Sequence, residues 1–242
     1  MPETAAVAAD MVQSYLRVRR ALGVVALLLP FALIAGGLAT EGGLRDSVSD
    51  YFYSLLREVF TGALAAIGVF LLSYRGYRRL PGEMVSDRTL SALSGISALL
   101  IAFFPALQSC AAGIEACPAV LTLTQRLTSP VFSARVHNLS AIVFFLCLVV
   151  FTLVQFPKES SAVRPAIYRI CGYGLIATLL AIVVAFVLGR WGGEAAAEVV
   201  ARHNILFWGE AVAIWIFAIA WLTKGRADLA LIDTLRAMRG QG

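Results

Sequence analysis

Six long apolar segments fix what this chain can fold into. They run over residues 21–39, 51–74, 90–107, 137–156, 170–189 and 205–223. Each comes close to the roughly 20 apolar residues that carry a helix across a bilayer. Lipid supplies no water to open backbone, so only helices or closed barrels cross it, and continuous apolar runs exclude the barrel. The expectation is one all-α integral membrane domain over 1–242, a six-helix bundle. A composition of 60% hydrophobic and 14% charged residues excludes a soluble domain. The first segment, Ala21–Ala39, is longer than the apolar core of a cleaved signal peptide and reads as a first helix bent at Pro30.

Orientation follows from Lys and Arg. Arg17, Arg19 and Arg20 precede the first segment. Arg75, Arg78, Arg79 and Arg88 lie between the second and third, and Lys158, Arg164 and Arg169 between the fourth and fifth. Lys224, Arg226, Arg236 and Arg239 follow the sixth, so most of the 20 basic residues lie on one side. The positive-inside rule puts both termini in the cytoplasm, an N-in/C-in topology, and composition points to a bacterial inner membrane. The net charge of +5 then serves topology and anionic lipid, not nucleic acid, since no basic-aromatic groove is visible.

Cys110 and Cys117 fall in the third loop on the outer side, where two near cysteines predict a disulfide. Cys147 and Cys171 read as small apolar packers. Glu194, Glu198 and Arg202 recur every four residues and extend the sixth helix outward by two turns. Leu229, Ile232, Leu235 and Met238 predict an amphipathic helix over the cytoplasmic tail 226–239. Ala177, Ala181 and Ala185, and Gly62 with Ala66, make small-residue faces that suit either packing within the bundle or a homo-oligomer.

The remaining charges gather on the outer side. Asp50, Arg57 and Glu58 open the second segment, His137 and Asn138 the fourth, and His203 and Glu210 the sixth. Asp50, Ser54 and Arg57 follow helical spacing, and His203 and Glu210 are seven apart, so each set shares a helix face. Ionisable groups at membrane depth are expensive and usually functional. Three chemistries fit. His137, His203 and Glu210 could ligate a divalent metal such as zinc, which would activate water, with Asp50 or Glu210 as general base. Arg57, with Tyr51, Glu58 and Asn138 beside it, could hold a lipid headgroup phosphate. Alternatively the charges only pair with one another: Arg57 with Asp50 or Glu58, and His203 with Glu210. Ser47 and Ser49 read as N-caps of the second helix, a nucleophilic role requiring a base nearby. Tyr51, Tyr53, Trp191 and Trp208 read as an interfacial aromatic belt. The inner half of the bundle offers mainly Ser73, Ser94 and Ser97 as polar groups, which argues against an ion path.

Ser49-Asp50, Arg57-x-x-Phe60, Tyr74-Arg75, His137-x-x-x-Ala141 and the His203/Glu210 pair, in this order along the chain, resemble the Frag1/DRAM/Sfk1 family of six-helix membrane proteins. The Thr-Gly pair that often follows Ser-Asp there is replaced by Tyr51-Phe52. The resemblance implies lipid work on the side away from the cytosol, with a membrane lipid as the partner. The function expected is a periplasm-facing polar pocket that binds or processes a lipid headgroup. Metal-assisted lipid hydrolysis or acyl transfer, and a structural or partner-binding role without catalysis, stand as alternatives.

Overall fold

The structure, a computed structural model, describes residues 2–74, 76, 85–108, 121–159 and 164–226, with side chains from Val12 onward. The Cys110–Cys117 pair and the tail beyond Arg226 lie outside the described residues. Every described element is helical: α1 (Pro2–Thr40), α2 (Arg57–Ser73), α3 (Asp87–Phe103), α4 (Leu123–Leu127), α5 (Pro130–Val150), α6 (Arg164–Trp191), α7 (Glu194–Arg202) and α8 (Ile205–Lys224). A five-residue 3-10 turn, Ser49–Tyr53, precedes α2, and a π turn, Phe151–Gln155, continues α5. Four stretches are long and apolar enough to cross a membrane, the mark of a multi-pass membrane protein: Val12–Thr40, Pro130–Lys158, Arg164–Trp191 and Ile205–Lys224. Helices α2 and α3 have 17 residues each.

The long helices contact in a ring. α1 packs on α2, α2 on α3, α3 on α5, α5 on α6, α6 on α8, and α8 returns to α1. The tightest crossing is α2 on α3, where a Cβ on Gly95 would lie 2.8 Å from the Gly68 carbonyl oxygen, so only glycine lets the backbones approach this closely. Gly62, by contrast, faces open space and does not serve packing within the bundle.

Two boundaries depart from the sequence expectation for local reasons. Helix α2 starts at Arg57 instead of residue 51. Ser54 is extended, at φ −122° and ψ 175°, and its hydroxyl donates to the Tyr51 carbonyl (2.7 Å) and accepts from the Leu56 amide (3.0 Å). Such local side-chain bonds compete with helix propagation. Asp50, Ser54 and Arg57 therefore do not share a helix face. At the other break, Asn204 sits in the left-handed region, φ 47° and ψ 43°, and separates α7 from α8. The outward extension with Glu194, Glu198 and Arg202 is thus a separate helix, with Arg202 donating to Glu198 along its surface.

The end of the ring that carries the basic flanks is also more polar inside than expected. Arg19, Asp87 and Lys224 are buried there. Arg19 lies 4.3 Å over the Tyr15 ring and 5.2 Å from the Tyr74 centroid, and donates to the Tyr74 hydroxyl (3.2 Å). Lys224 stands 5.2 Å over Phe156, within a cluster formed by Phe151, Tyr168 and Trp221.

Candidate functional site

The opposite end is organised by the loop after α1. Asn204 donates from its side-chain amide to the Leu44 and Arg45 carbonyls (3.2 and 3.1 Å), and the Phe207 N–H donates to the Asp46 carbonyl (3.0 Å). These bonds lay the loop across the start of α8. The Val48 N–H then donates to Glu210 Oε2 at 2.7 Å, and the Ser49 amide faces the same carboxylate. A carboxylate from a distant helix thus caps the 3-10 turn, where unpaired amides favour negative charge.

The two serines of this turn separate in role. Ser47 Oγ accepts the Asp50 N–H (3.1 Å) and works as the expected cap. Ser49 instead turns toward α5. Its hydroxyl lies 3.0 Å from His137 Nε2, and His137 Nδ1 lies 2.9 Å from the Phe104 carbonyl oxygen. A carbonyl only accepts, so Nδ1 carries the proton; the neutral ring then turns a lone pair on Nε2 toward the Ser49 O–H, which donates. The Phe104 carbonyl is available because the residue before Pro105 is pushed out of helical geometry, here to φ −110° and ψ 96°. His137 is buried and Ser49 half-buried.

Beneath the turn lies a cavity of about 60 Å³. Ser49 and Glu210 supply its polar edge, and Phe60, Leu64, Ile101 and Phe144 are among its apolar walls. Asp50 is buried on the same turn. Tyr53 donates to the Ala106 carbonyl (2.7 Å) and accepts from Gln125 (2.9 Å), tying the turn to the segment after α3. Burial pushes the Tyr51 and Tyr53 phenols above their ordinary value of 10.

Compared with protein-family models, curated proteins and solved structures, the chain finds no match.

The structure keeps together only part of the set expected from sequence. Asp50, His137 and Glu210 gather around the Ser49 turn. His203 does not join them, because the left-handed Asn204 breaks the helical phase that would have placed it over Glu210. It is exposed instead, in a groove of about 480 Å³ between α6 and α8 that Ala177, Ala181 and Trp208 also line. The expected metal set of His137, His203 and Glu210 is therefore not assembled, and among the described residues no three metal-ligating side chains gather. The expected His203–Glu210 pair is also broken.

Arg57 faces a separate groove of about 370 Å³ at the same end, lined by Phe52, Thr61, Phe103, Thr122 and Thr124. Its guanidinium lies 4.3 Å over the Phe52 ring and forms no ion pair with Asp50 or Glu58 among the described residues. Glu58 and Asn138 are exposed and turn away from the His137 cluster. Tyr51 is buried against Phe207 at 5.9 Å, so it belongs to the core and not to an aromatic belt.

Sequence reasoning missed Ser49 as the partner of His137. The two are 88 residues apart, and no local spacing announces them. The Phe104-Pro105 dipeptide was the one available signal, since it marks a carbonyl left without a helical partner.

Proposed function

We propose that this chain crosses the membrane six times and binds an anionic lipid headgroup at the end away from its basic loops. Helices α2 and α3, at 17 residues and about 25 Å each, are short spans that complete the ring between α1 and α5. The Lys and Arg flanks supply the orientation, both termini cytoplasmic and the Ser49 end periplasmic. In a bacterial cell this is the inner membrane.

The observation that carries the lipid reading is Arg57. A half-buried guanidinium held on an aromatic face, with no carboxylate partner among the described residues, keeps its donors for a ligand. Its groove combines that charge with the hydroxyls of Thr61, Thr122 and Thr124 and the apolar faces of Phe52 and Phe103. A phosphate with an attached acyl chain matches such a lining, as bidentate Arg–phosphate bonds need a planar fork. Tyr51 and Asn138 are not part of that lining. Of the residues behind the resemblance to the Frag1/DRAM/Sfk1 family, Ser49-Asp50, Arg57, Phe60, His137 and Glu210 lie at this same end, which supports lipid work there. Tyr74 lies at the other end, and His203 is apart from Glu210.

Protein purified in mild detergent should retain anionic phospholipid that mass spectrometry identifies. Arg57→Ala should lose most of it, and Arg57→Lys should keep less than the parent, because a lysine cannot form the bidentate contact. Unchanged lipid identity and amount in Arg57→Ala would overturn the reading.

A further inference from the structure

We propose that Ser49 and His137 are a nucleophile–base pair for acyl transfer on an ester. The substrate class, an ester-linked membrane lipid, rests on the lipid reading above; the pair itself rests on geometry alone.

A serine hydroxyl is a weak nucleophile until a base takes its proton, and the base must in turn be held in the correct tautomer by a third group. All three parts are present. The Ser49 hydroxyl meets His137 Nε2 at 3.0 Å, and the Phe104 carbonyl fixes the proton on Nδ1 at 2.9 Å. The carbonyl stands where serine hydrolases place a carboxylate, and orients the ring in the same way. The base is enclosed, while the nucleophile's residue is half-buried and lines the cavity. At about 60 Å³ and walled by Phe60, Leu64 and Phe144, that cavity suits an ester carbonyl and the first carbons of an acyl chain, not a headgroup. The amides of Val48 and Ser49 already face a carboxylate oxygen of Glu210. Glu210 occupies these donors, so they hold the turn in place, and the acyl-transfer chemistry rests on the Ser49–His137–Phe104 geometry alone.

The reaction balances without a redox partner. Ser49 Oγ attacks the ester carbonyl carbon as its proton passes to His137 Nε2. The tetrahedral oxyanion collapses, the C–O bond to the alcohol breaks, and the leaving alkoxide takes the proton from His137. Water or the hydroxyl of a second lipid then attacks the acyl-serine with His137 again as base, releasing free acid or a new ester and restoring Ser49.

The test uses the full chain in nanodiscs and a fluorophosphonate probe, which forms a stable phosphonyl adduct with an activated serine. Peptide mass spectrometry should place the adduct on Ser49 in the parent and in Ser47→Ala. Ser49→Ala should abolish it, and His137→Gln should slow labelling by about 100-fold or more, the usual scale of general-base assistance. Retained lipid is identified by mass spectrometry in the same parent sample, so that labelling at Ser49 with no lipid retained would overturn the lipid reading alone, which separates this inference from it. If the serine variants unfold, Ser49→Cys with and without His137→Gln replaces them, with iodoacetamide alkylation at position 49 as readout; slower alkylation without the histidine is the expected result. No Ser49 adduct in a folded parent that retains lipid, or equal reactivity with and without His137, would overturn the pair and leave it a tether between the loop and two helices.

Discussion

At the basic end of the ring Arg19 lies against the stacked rings of Tyr15 and Tyr74, whereas at the far end His137 lies between a backbone carbonyl and a serine hydroxyl. Both ends bury polar groups, but by different means. The basic end sets cations against aromatic faces, Arg19 on two tyrosines and Lys224 on Phe156, whose carbonyl oxygen Lys224 also reaches at 3.5 Å. The negative face of a ring attracts a cation over a broad area, so such a contact tolerates sliding. At the far end Arg57 also sits on a ring, that of Phe52, but the main chain holds the groups around the Ser49 turn. Glu210 accepts from Val48, His137 meets Phe104, Asn204 donates to Leu44 and Arg45, and Tyr53 donates to Ala106. A hydrogen bond to backbone fixes both distance and ring orientation. Aromatic seating suits anchorage; backbone seating suits chemistry that depends on which nitrogen carries a proton. The difference between the ends is therefore one of geometric tolerance, not of polarity.

The largest expected contrast comes from removing the central side chain at each end. His137→Ala empties a buried site and strands the Phe104 carbonyl, which should cost about 3 kcal/mol of stability. Fluorophosphonate labelling of Ser49 should vanish with it. Arg19→Lys keeps the charge but gives up the guanidinium's seat over Tyr15 and its bond to Tyr74, for about 1–2 kcal/mol. Labelling should be unmoved. Thermal melts in the same detergent, read beside the labelling rates, check both. If Arg19→Lys slowed labelling as strongly as the loss of His137, the two ends would be one coupled network and the comparison would fail.

The sequence made most of the helices legible because an apolar run of membrane length has few alternatives. Segments 90–107, 170–189 and 205–223 fall inside or within a few residues of α3, α6 and α8. The start of the second was misread since Tyr51-Phe52-Tyr53 is as apolar as the helix that follows it, and only the Ser54 side chain diverts the backbone. The basic end was misread for a related reason. The apolar run places Arg19 in the basic flank ahead of the first segment, although α1 runs unbroken from Pro2 and carries that residue into the ring. At the far end, Asp50, His137 and Glu210 were legible as ionisable groups in apolar surroundings. Ser49 was not, because a serine before a helix has an ordinary capping role and its partner is set by tertiary packing. His203 and Glu210 show the reverse error: a seven-residue spacing implies a shared face only while the helix is unbroken, and Asn204 breaks it.

Asn204 offers a way to sharpen the contrast within the far end itself. It combines a left-handed backbone with two side-chain bonds to the loop that presents Ser49. Asn204→Ala loses both features and should cost about 2 kcal/mol, since a Cβ residue in that region is strained by roughly 1 kcal/mol and the bonds add about as much. Asn204→Gly removes the strain and should cost about half that. Both should slow Ser49 labelling by a similar factor, because the loop loses the same two anchors. A normal labelling rate in Asn204→Gly would show that the loop is positioned by Glu210 and His137 alone.

The smallest effect expected is at Tyr53, where the phenol links the Ser49 turn to Ala106 and Gln125. Tyr53→Phe should cost about 1 kcal/mol, the scale of one net hydrogen bond with its acceptor left to find another partner. The residue also gives the far end a pH dependence that can be read separately. Burial pushes the Tyr53 phenol above 10, against the opposing pull of the Gln125 amide, so the folded state holds this proton more tightly than the unfolded chain does. Its contribution is thus complete below about pH 10, where both states are protonated, and is lost as pH rises through the folded value. Stability measured by chemical denaturation between about pH 9 and 11 should fall in the parent and fall less in Tyr53→Phe. Identical slopes would mean that the Tyr53 proton is no better held in the fold than in water, and that the Ala106 contact does not anchor the turn.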